Sequence, residues 1–407
     1  MTDGFSDYSF TKTANATNLN SASLVGFPVF VRLEQTGDTT GTGAAGLDTN
    51  ADIQDETDIG FFDENDNPLN YYFTNFDATN GIYEAWVSAD ITRDGSVQLK
   101  VGYGSGSTDD TSAESSVFDN VGDYNLEDRY DLQSVGDGTA EDSTSNNRDG
   151  TVNGATESSR AQFGSTSSDF DGSSSAIKLP GTVPGKGGGK FYFSCWAYLD
   201  SNNGPNGGTT RGNFFAKENS MLFSTEGSAG LYIRTYNDNN GGTGSAVSTG
   251  EWHHFVLAYD SGNSTSEIWL DGTKIETASV NPGDNTASNP KFFGARDGTD
   301  DGSADSEYLD GQMQEARFGS SIPSDEHTET SYDMSSAGGY TLLNWNQSNE
   351  LAGNGVVMRK TRSDLKLRGE LVEDSGNSQE MRLNIEDLEL QDELNEENRD
   401  FEEGVSF

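Results

Sequence analysis

Residues 250–276 read GEWHHFVLAYDSGNSTSEIWLDGTKIE, and they carry the clearest structural pattern in the chain. In the first half, Trp252 and His254 fall on one face of an extended strand, while His253 and Phe255 fall on the other. A polar connection that contains glycine leads to a second apolar strand, which an Asp-Gly pair ends. Because both faces of this hairpin are apolar, the pattern predicts that it lies inside a sandwich or beneath another layer.

The same hairpin resembles the signature of laminin-G-like (concanavalin A-type) β-sandwich domains, in which a Trp-His-His strand is followed by a strand ending in Asp-Gly. Further segments follow in the order of that family, namely 142–155, 168–172, 176–179, 190–199, 291–296 and 308–318. The resemblance covers about residues 125–335. It implies a jelly-roll domain that binds a ligand, and it does not name the ligand.

A second set of short apolar segments precedes this region, and each is bounded by Asp, Asn or Gly. They read FPVFVRL at 27–33, DIGFF at 58–62, IYEAWV at 82–87 and SVQLKVGY at 96–103. Strands at such intervals predict a further β-sandwich. Their order resembles a small uncharacterised β-domain of archaeal and bacterial surface proteins, which often lies directly before a laminin-G-like domain.

The predicted fold class is therefore all-β, with tandem β-sandwiches and a C-terminal β-rich segment. We expect four parts, which are an N-terminal arm or first strand (1–23), a small β-sandwich (24–120), a concanavalin A-like jelly roll (125–337) and a C-terminal segment (338–407). The last part holds the dense basic cluster Arg359, Lys360, Arg362, Lys366 and Arg368. It is either a solvated hairpin with internal ion pairs or a docking or oligomerisation segment. The apolar alternation at 381–390 favours docking, because such side chains need a surface to bury against.

The charge balance is extreme: 68 Asp and Glu oppose 24 Lys and Arg, which gives a net charge of −44. This repulsion destabilises a compact chain at low salt, whereas multimolar salt screens it within a few Å. A halophilic source explains the composition better than a generic acidic or metal-storing protein. Nucleic acid is not an expected partner, because phosphate binding needs a basic face. No apolar stretch approaches the ~18 residues of a membrane span, so membrane insertion is not expected.

Catalysis is not expected from the sequence. The Glu-x-Asp-x-Glu strand of concanavalin A-type glycosidases is missing, and so is the strand–elbow–helix context of a Ser-His-Asp hydrolase. His253 and His254 point to opposite faces of their strand, so they cannot bind one metal as a pair. The resemblance makes both histidines framework residues. Cys195 is the only cysteine, which we interpret as a buried small side chain.

Calcium is the cofactor that the resemblance implies, because many laminin-G-like domains hold it through carboxylate and carbonyl oxygens. The candidate ligands are Asp169, Asp171, Asp310, Gln314 and Glu315. Relatives often have Asp at position 314, so the amide there weakens the expectation. The acidic loop 297–310 is a second candidate, and in so acidic a chain it reads equally well as a solvated loop.

Ligand contact is expected from the long Asn/Gly loops 202–211, 237–245 and 281–289, because sandwich domains present variable loops at their ends. Arg211, Arg234 and Tyr236 are the candidate contacts to a sugar.

The predicted function is non-enzymatic surface recognition. The start MTDGFSDYSF lacks the basic and apolar regions of an export signal, so we expect the protein either to act inside the cell or to leave it within an assembled particle. The favoured role is a virion surface component (spike, turret or tail fibre) that forms a homo-oligomer, contacts other virion proteins and binds host-surface glycans or glycoproteins. The alternatives are an extracellular cell-envelope adhesin and a purely architectural protein without glycan binding.

Overall fold

The computed structural model describes residues 8, 10–17, 23–35, 45–47, 51–91, 96–104, 114–119, 125–181, 189–201, 211–217, 221–226, 230–235, 247–260, 262–263, 265–279, 291–297, 302–335, 343–345, 369–372 and 380–383. Arg211 and Arg234 are described in their backbone alone. Tyr236 and the five basic residues predicted to dock, at 359–368, lie outside the described residues. The chain divides into two compact units, Met1–Leu351 and Ala352–Phe407.

The first elements in chain order are β1 (Phe10–Thr17), β2 (Leu24–Glu34), β3 (Ala45–Gly46), β4 (Ile59–Phe62), β5 (Tyr71–Asp77), β6 (Ile82–Ile91), β7 (Ser96–Tyr103) and α1 (Glu114–Phe118). Then follow β8 (Leu126–Tyr130), β9 (Thr139–Ala140), β10 (Gly150–Asn153), β11 (Thr156–Ser158), β12 (Ser167–Asp171), β13 (Ala176–Leu179), β14 (Lys190–Leu199), β15 (Arg211–Lys217), β16 (Met221–Glu226) and β17 (Leu231–Thr235). The chain continues with β18 (Trp252–Asp260), β19 (Thr265–Leu270), β20 (Thr273–Ser279), β21 (Lys291–Phe293), β22 (Asp310–Gly319), α2 (Asp325–Ser335), β23 (Leu343–Trp345), β24 (Gly369–Val372) and β25 (Glu380–Leu383). The all-β prediction is confirmed.

Two four-stranded sheets form the N-terminal sandwich, in the orders β23-β1-β7-β4 and β3-β2-β6-β5. Its core follows from the alternation of β2, in which Val29, Val31 and Leu33 point between the sheets. Phe30 points the other way and is equally buried, in a different apolar cluster. The near-continuous apolar run of this strand therefore reflects two buried faces.

The segment predicted as an arm or first strand contains β1, which pairs with β7 from Phe10↔Tyr103 to Thr17↔Ser96. β23, from the segment predicted to dock, pairs with the other edge of β1. The sequence of β1 is polar, so apolar alternation did not decide between an arm and a strand here. Backbone pairing does not require apolar side chains, because every residue except proline supplies an N–H and a C=O.

The second sandwich consists of a seven-stranded sheet (β17-β16-β15-β21-β13-β10-β9) and an eight-stranded sheet (β11-β12-β22-β14-β18-β19-β20, with β8 paired to β22). Between them lies a core that includes Phe193, Cys195, Phe255, Phe293 and Phe318, each 0% exposed. The predicted hairpin is β18 with β19, and β14 pairs with β18 along its whole length.

The outward face of the eight-stranded sheet explains why this hairpin is apolar on both sides. Trp196 of β14 contacts Phe163, and Phe163 contacts Trp86 and Phe30 of the N-terminal sandwich, with ring centroids 5.0–5.8 Å apart. These rings form a buried layer between the two sandwiches. We call it the seam.

A buried ion-pair network continues the seam. Glu315 accepts hydrogen bonds from Arg129 Nε at 3.0 Å and from Arg317 Nη2 at 2.9 Å. The Arg317 guanidinium lies 4.8 Å from the centre of the Trp86 ring, and that of Arg129 lies 3.9 Å from the Phe118 ring. Both cations thus combine a carboxylate with an aromatic face.

In the second unit, β24 and β25 form an antiparallel hairpin. None of the described helices is long and apolar enough to span a membrane.

Candidate functional site

One border of the outward face of the eight-stranded sheet remains accessible to solvent. Four strands place Asp169, Gln312, Tyr198 and Trp252 directly opposite one another, in the pairs Asp169↔Gln312, Gln312↔Tyr198 and Tyr198↔Trp252. Residues directly opposite in antiparallel strands share one face. The neighbours of these side chains along each strand, such as Leu199, point into the core instead.

Arg160 lies over this row. Its Nη1 donates to Asp200 Oδ1 at 3.1 Å and to Gln312 Oε1 at 2.6 Å. Its guanidinium carbon is 4.1 Å from the centre of the Tyr198 ring. The side chains of Arg160 and Asp200 are 44% and 42% exposed. We call this surface the Arg160 patch, and its members are Arg160, Asp169, Tyr198, Asp200, Gln312 and Trp252.

Gln312 organises the patch from below. Its side chain is buried, and its amide Nε2 donates to Asp200 Oδ2 at 3.0 Å and to Asp169 Oδ1. Since its Oε1 accepts from Arg160, the amide holds both carboxylates and the guanidinium in place. Tyr198 and Trp252 meet edge to face at 5.9 Å beside them. The patch therefore offers fixed carboxylate acceptors, guanidinium donors and aromatic rings on one surface.

Asp171 is one of the five candidate calcium ligands, and its carboxylate has serine partners. Oδ1 accepts the backbone N–H of Ser173 at 2.8 Å and the hydroxyl of Ser175 at 2.8 Å, and Oδ2 accepts the hydroxyl of Ser174 at 2.6 Å. Burial alone raises the pKa of this carboxyl, but the hydrogen bonds outweigh it and hold the pKa well below its usual range.

Gln314 is the predicted ligand that replaces an Asp of the relatives, and it holds a loop. Its Oε1 accepts the backbone N–H groups of Gln162 and Phe163 at 2.6 and 3.1 Å. Its Nε2 donates to the carbonyls of Phe163 and Thr166 at 2.8 and 2.6 Å. These four bonds need both an acceptor and a donor, so Gln suits this position better than Asp.

The remaining predicted ligands are engaged separately. Glu315 belongs to the buried ion-pair network of the seam, Asp310 accepts the hydroxyl of Ser201 at 2.7 Å, and Asp169 is held by Gln312. Among the described residues, no group of three or more His, Cys, Asp and Glu side chains is placed to hold a metal ion. The five predicted ligands therefore do not fit one shared cation, and calcium binding stays a prediction.

A second group of hydrogen-bonded polar side chains lies at the end of the hairpin, and no sequence motif predicted it. Ser248 Oγ is 2.9 Å from His253 Nε2, and His253 Nδ1 is 2.7 Å from Asp271 Oδ2. The other carboxylate oxygen of Asp271 accepts the backbone N–H of His254 at 2.9 Å. Asp271 starts the turn between β19 and β20 with a positive φ of 51°. The resemblance to laminin-G-like domains assigned His253 to the framework alone, and Ser248 was not predicted to be a functional residue.

Two regions of the chain match known families. Residues 171–327 match the concanavalin A-like lectin/glucanases superfamily, and residues 55–130 match a domain of unknown function (DUF2341). The chain therefore contains a concanavalin A-like domain preceded by this β-domain, and both identifications made from the sequence are confirmed. A search of the curated proteins found no match.

Several solved structures resemble the chain over about half of its length. Domain 4 of an extracellular arabinanase from Geobacillus stearothermophilus, in complex with arabinotriose, is 18% identical, with 52% of this chain and 99% of that domain covered and a TM-score of 0.38. The binding domain of botulinum neurotoxin serotype D is 9% identical, with 51% of each chain covered and a TM-score of 0.39. The binding domain of Paraclostridial Mosquitocidal Protein 1 is 12% identical, with 51% and 52% covered and a TM-score of 0.36. The chain thus spans about half the length of the two toxin domains. Such identities and TM-scores do not establish a shared function.

Proposed function

We propose that this protein recognises surface glycans, free or carried by glycoproteins, through the Arg160 patch. The observation that carries the proposal is the set of polar groups that Gln312 holds against the Tyr198 ring: two carboxylates and one guanidinium. A sugar presents hydroxyls that donate to carboxylates and accept from guanidinium, and an apolar C–H face that packs on aromatic rings. Because Gln312 already fixes the polar groups, binding a sugar costs little side-chain ordering.

The test is a binding titration with envelope polysaccharides and neutral oligosaccharides in multimolar KCl. Arg160→Ala should weaken binding by about tenfold or more, which is about 1.4 kcal/mol. Lys274→Ala is the matched control, because Lys274 also lies over an aromatic ring (Trp269, 4.8 Å) and also pairs with a carboxylate (Asp325, 2.9 Å). Equal binding by the wild type and by Arg160→Ala would reject the patch. No binding by either would favour the architectural role.

The wider role rests on the composition. The net charge of −44 supports a protein that works in multimolar salt. We place it at a virion surface as a homo-oligomer that contacts other virion proteins, with the extracellular cell envelope as the alternative. Oligomerisation raises the avidity of weak single sites. Co-sedimentation with host envelopes, with and without a calcium chelator, tests recognition and calcium dependence together. Absence of the protein from purified particles would exclude the virion role.

A further inference from the structure

We propose that Ser248, His253 and Asp271 form an ester-hydrolysing site with Ser248 as the nucleophile. The three side chains form one hydrogen-bonded line, with distances of 2.9 Å from Ser248 Oγ to His253 Nε2 and 2.7 Å from His253 Nδ1 to Asp271 Oδ2. These distances fall in the range of a nucleophile, its base and the group that orients the base. This activity goes beyond glycan binding.

The partners of His253 determine its tautomer. A carboxylate accepts hydrogen bonds and does not donate them, so Nδ1 is protonated and donates its N–H to Asp271. Nε2 is then the free base, and it accepts the hydrogen of the Ser248 hydroxyl. His253 is 6% exposed, whereas Ser248 is exposed. The base is thus shielded, and the nucleophile faces solvent and substrate.

The fold holds the orienting carboxylate firmly. Asp271 accepts from the backbone N–H of His254 through Oδ1, and its own N–H donates to the His254 carbonyl at 2.9 Å. The next residue, Gly272, has a φ of 70°, and a Cβ there would lie 2.9 Å from the Tyr332 ring of α2. Tyr332 thus packs against the turn that Asp271 starts.

The reaction needs only an ester and water. Ser248 Oγ attacks the carbonyl carbon while its proton passes to His253 Nε2. The C–O bond of the ester then breaks, and the imidazolium returns the proton to the leaving alcohol. Water repeats both steps on the acyl-serine and releases the carboxylic acid. Asp271, and the Glu251 carboxylate 3.8 Å from Nε2, stabilise the transient imidazolium.

The oxyanion requires donors beside Ser248. Gly250 N–H donates to the Leu199 carbonyl at 2.9 Å. In the part of the chain that the structure describes, the N–H groups of Ser248 and Thr249 donate to no protein acceptor. In the proposed reaction these two N–H groups donate to the oxyanion.

The position of Ser248 indicates the class of ester. Gly250, two residues along, borders the Arg160 patch, because a Cβ at Gly250 would lie 3.7 Å from the Tyr198 hydroxyl. Ser248 and the patch thus lie at the same end of β18. Because His253 points to the opposite face of the strand from Trp252, a glycan on the patch must pass around the start of β18 to present an acylated hydroxyl to Ser248. We assign O-acetylated glycans as the substrate class, and this assignment rests on the glycan binding proposed above.

The first experiment does not depend on glycan binding. The full-length protein in multimolar KCl is treated with a fluorophosphonate and, separately, with p-nitrophenyl acetate. The expected results are a covalent adduct on Ser248, located by mass spectrometry, and hydrolysis that falls by about 100-fold or more in Ser248→Ala. Ser320→Ala, which removes another exposed serine, should retain the wild-type rate.

Further variants test the roles of the other two residues. Asp271→Asn should lower kcat by about 100-fold or more, because an amide no longer selects the tautomer with a free Nε2. Absence of the Ser248 adduct, together with equal hydrolysis by the wild type and Ser248→Ala, would overturn the proposal. Hydrolysis of p-nitrophenyl acetate without glycan binding would reject only the glycan role. Deacetylation of a glycan that Arg160→Ala abolishes would support both.

Discussion

Trp196 and Tyr198 stand two residues apart on the same face of β14, and they lie in opposite surroundings. Trp196 is 3% exposed and packs against both His254 and Tyr332, with its ring plane 28° and 16° from theirs. Tyr198 is half-buried and carries the Arg160 guanidinium on its ring. One strand face therefore serves as a domain interface at one row and as an open charged surface at the next. The difference comes from what packs over each row, since both side chains are aromatic.

The largest expected effect on stability comes from removing the buried Trp196 ring. Trp196→Ala should lower the free energy of unfolding by about 3–5 kcal/mol, because it removes a large buried ring from a layer that the two sandwiches share. Denaturant unfolding in high KCl measures the change. Tyr198→Ala, measured in parallel, should cost far less, and equal costs would show that the two rows do not differ as described.

The ion-pair network tests whether the seam also depends on charge. Glu315→Gln should cost about 3 kcal/mol, because it removes the carboxylate that the buried Arg129 and Arg317 guanidinium groups share, while Arg129 retains its pair with Glu114. The control is Glu267→Gln, which breaks a more exposed pair with Lys274 and should cost less than about 1 kcal/mol. A tolerated Glu315→Gln would mean that the aromatic layer alone joins the sandwiches.

The stability of the fold should also depend on pH through His254, which lies beside Trp196. Burial, aided by Arg317 and His327, lowers the pKa of His254 to about 3, although Asp271 opposes the shift. In the unfolded chain the histidine titrates near 6.5, so between about pH 6.5 and 3 only the unfolded state binds its proton. Stability should therefore fall as the pH drops through this window, by up to about 1.4 kcal/mol per pH unit.

The matched variant for this pH dependence is His254→Phe, which retains a ring beside Trp196. The free energy of unfolding is measured from pH 7 to pH 4 in wild type and variant, and the difference between the two curves isolates His254. A difference that stays constant with pH would contradict the assignment. Glycan binding at the Arg160 patch is measured over the same pH range, so that its pH dependence can be compared with that of the unfolding free energy.

The smallest effect on stability is expected at Tyr198, on the solvent-accessible side of the same strand face. Tyr198→Ala should cost about 1 kcal/mol through the lost contact with Arg160, and it should weaken glycan binding by about tenfold. Tyr198→Phe retains the ring and should retain most of the stability. If both variants bind glycans like the wild type, Tyr198 is not part of the binding surface.

The candidate site was harder to predict than the fold. Asp169 was selected from the sequence as a cation ligand, but its partner is the amide of Gln312, which arrives from a strand 143 positions away. Arg160 reaches Gln312 across 152 positions and was not singled out at all. The exposed arginine gives no local signal, because a surface charge is unremarkable until its neighbours in space are known.

His253, on the opposite face of β18 from Trp252, also could not be assigned a site from the sequence. Its neighbours in sequence correctly place it in an apolar hairpin. Its hydrogen-bond partners, Ser248 and Asp271, come from the approach to β18 and from the turn after β19. Only the pairing of these strands brings the serine and the carboxylate to opposite nitrogens of one ring.

The amino-acid sequence was sufficient for the most apolar strands, the turns beside them and the succession of two sandwiches. Alternation and turn chemistry depend on residues that are neighbours in the chain, so they can be read locally. The tertiary structure decided which face of β14 is covered, which carboxylates meet an arginine, and where a serine meets a histidine. Those contacts join positions far apart in the chain, and their free energy depends on burial and on distances of a few Å, which no local pattern contains.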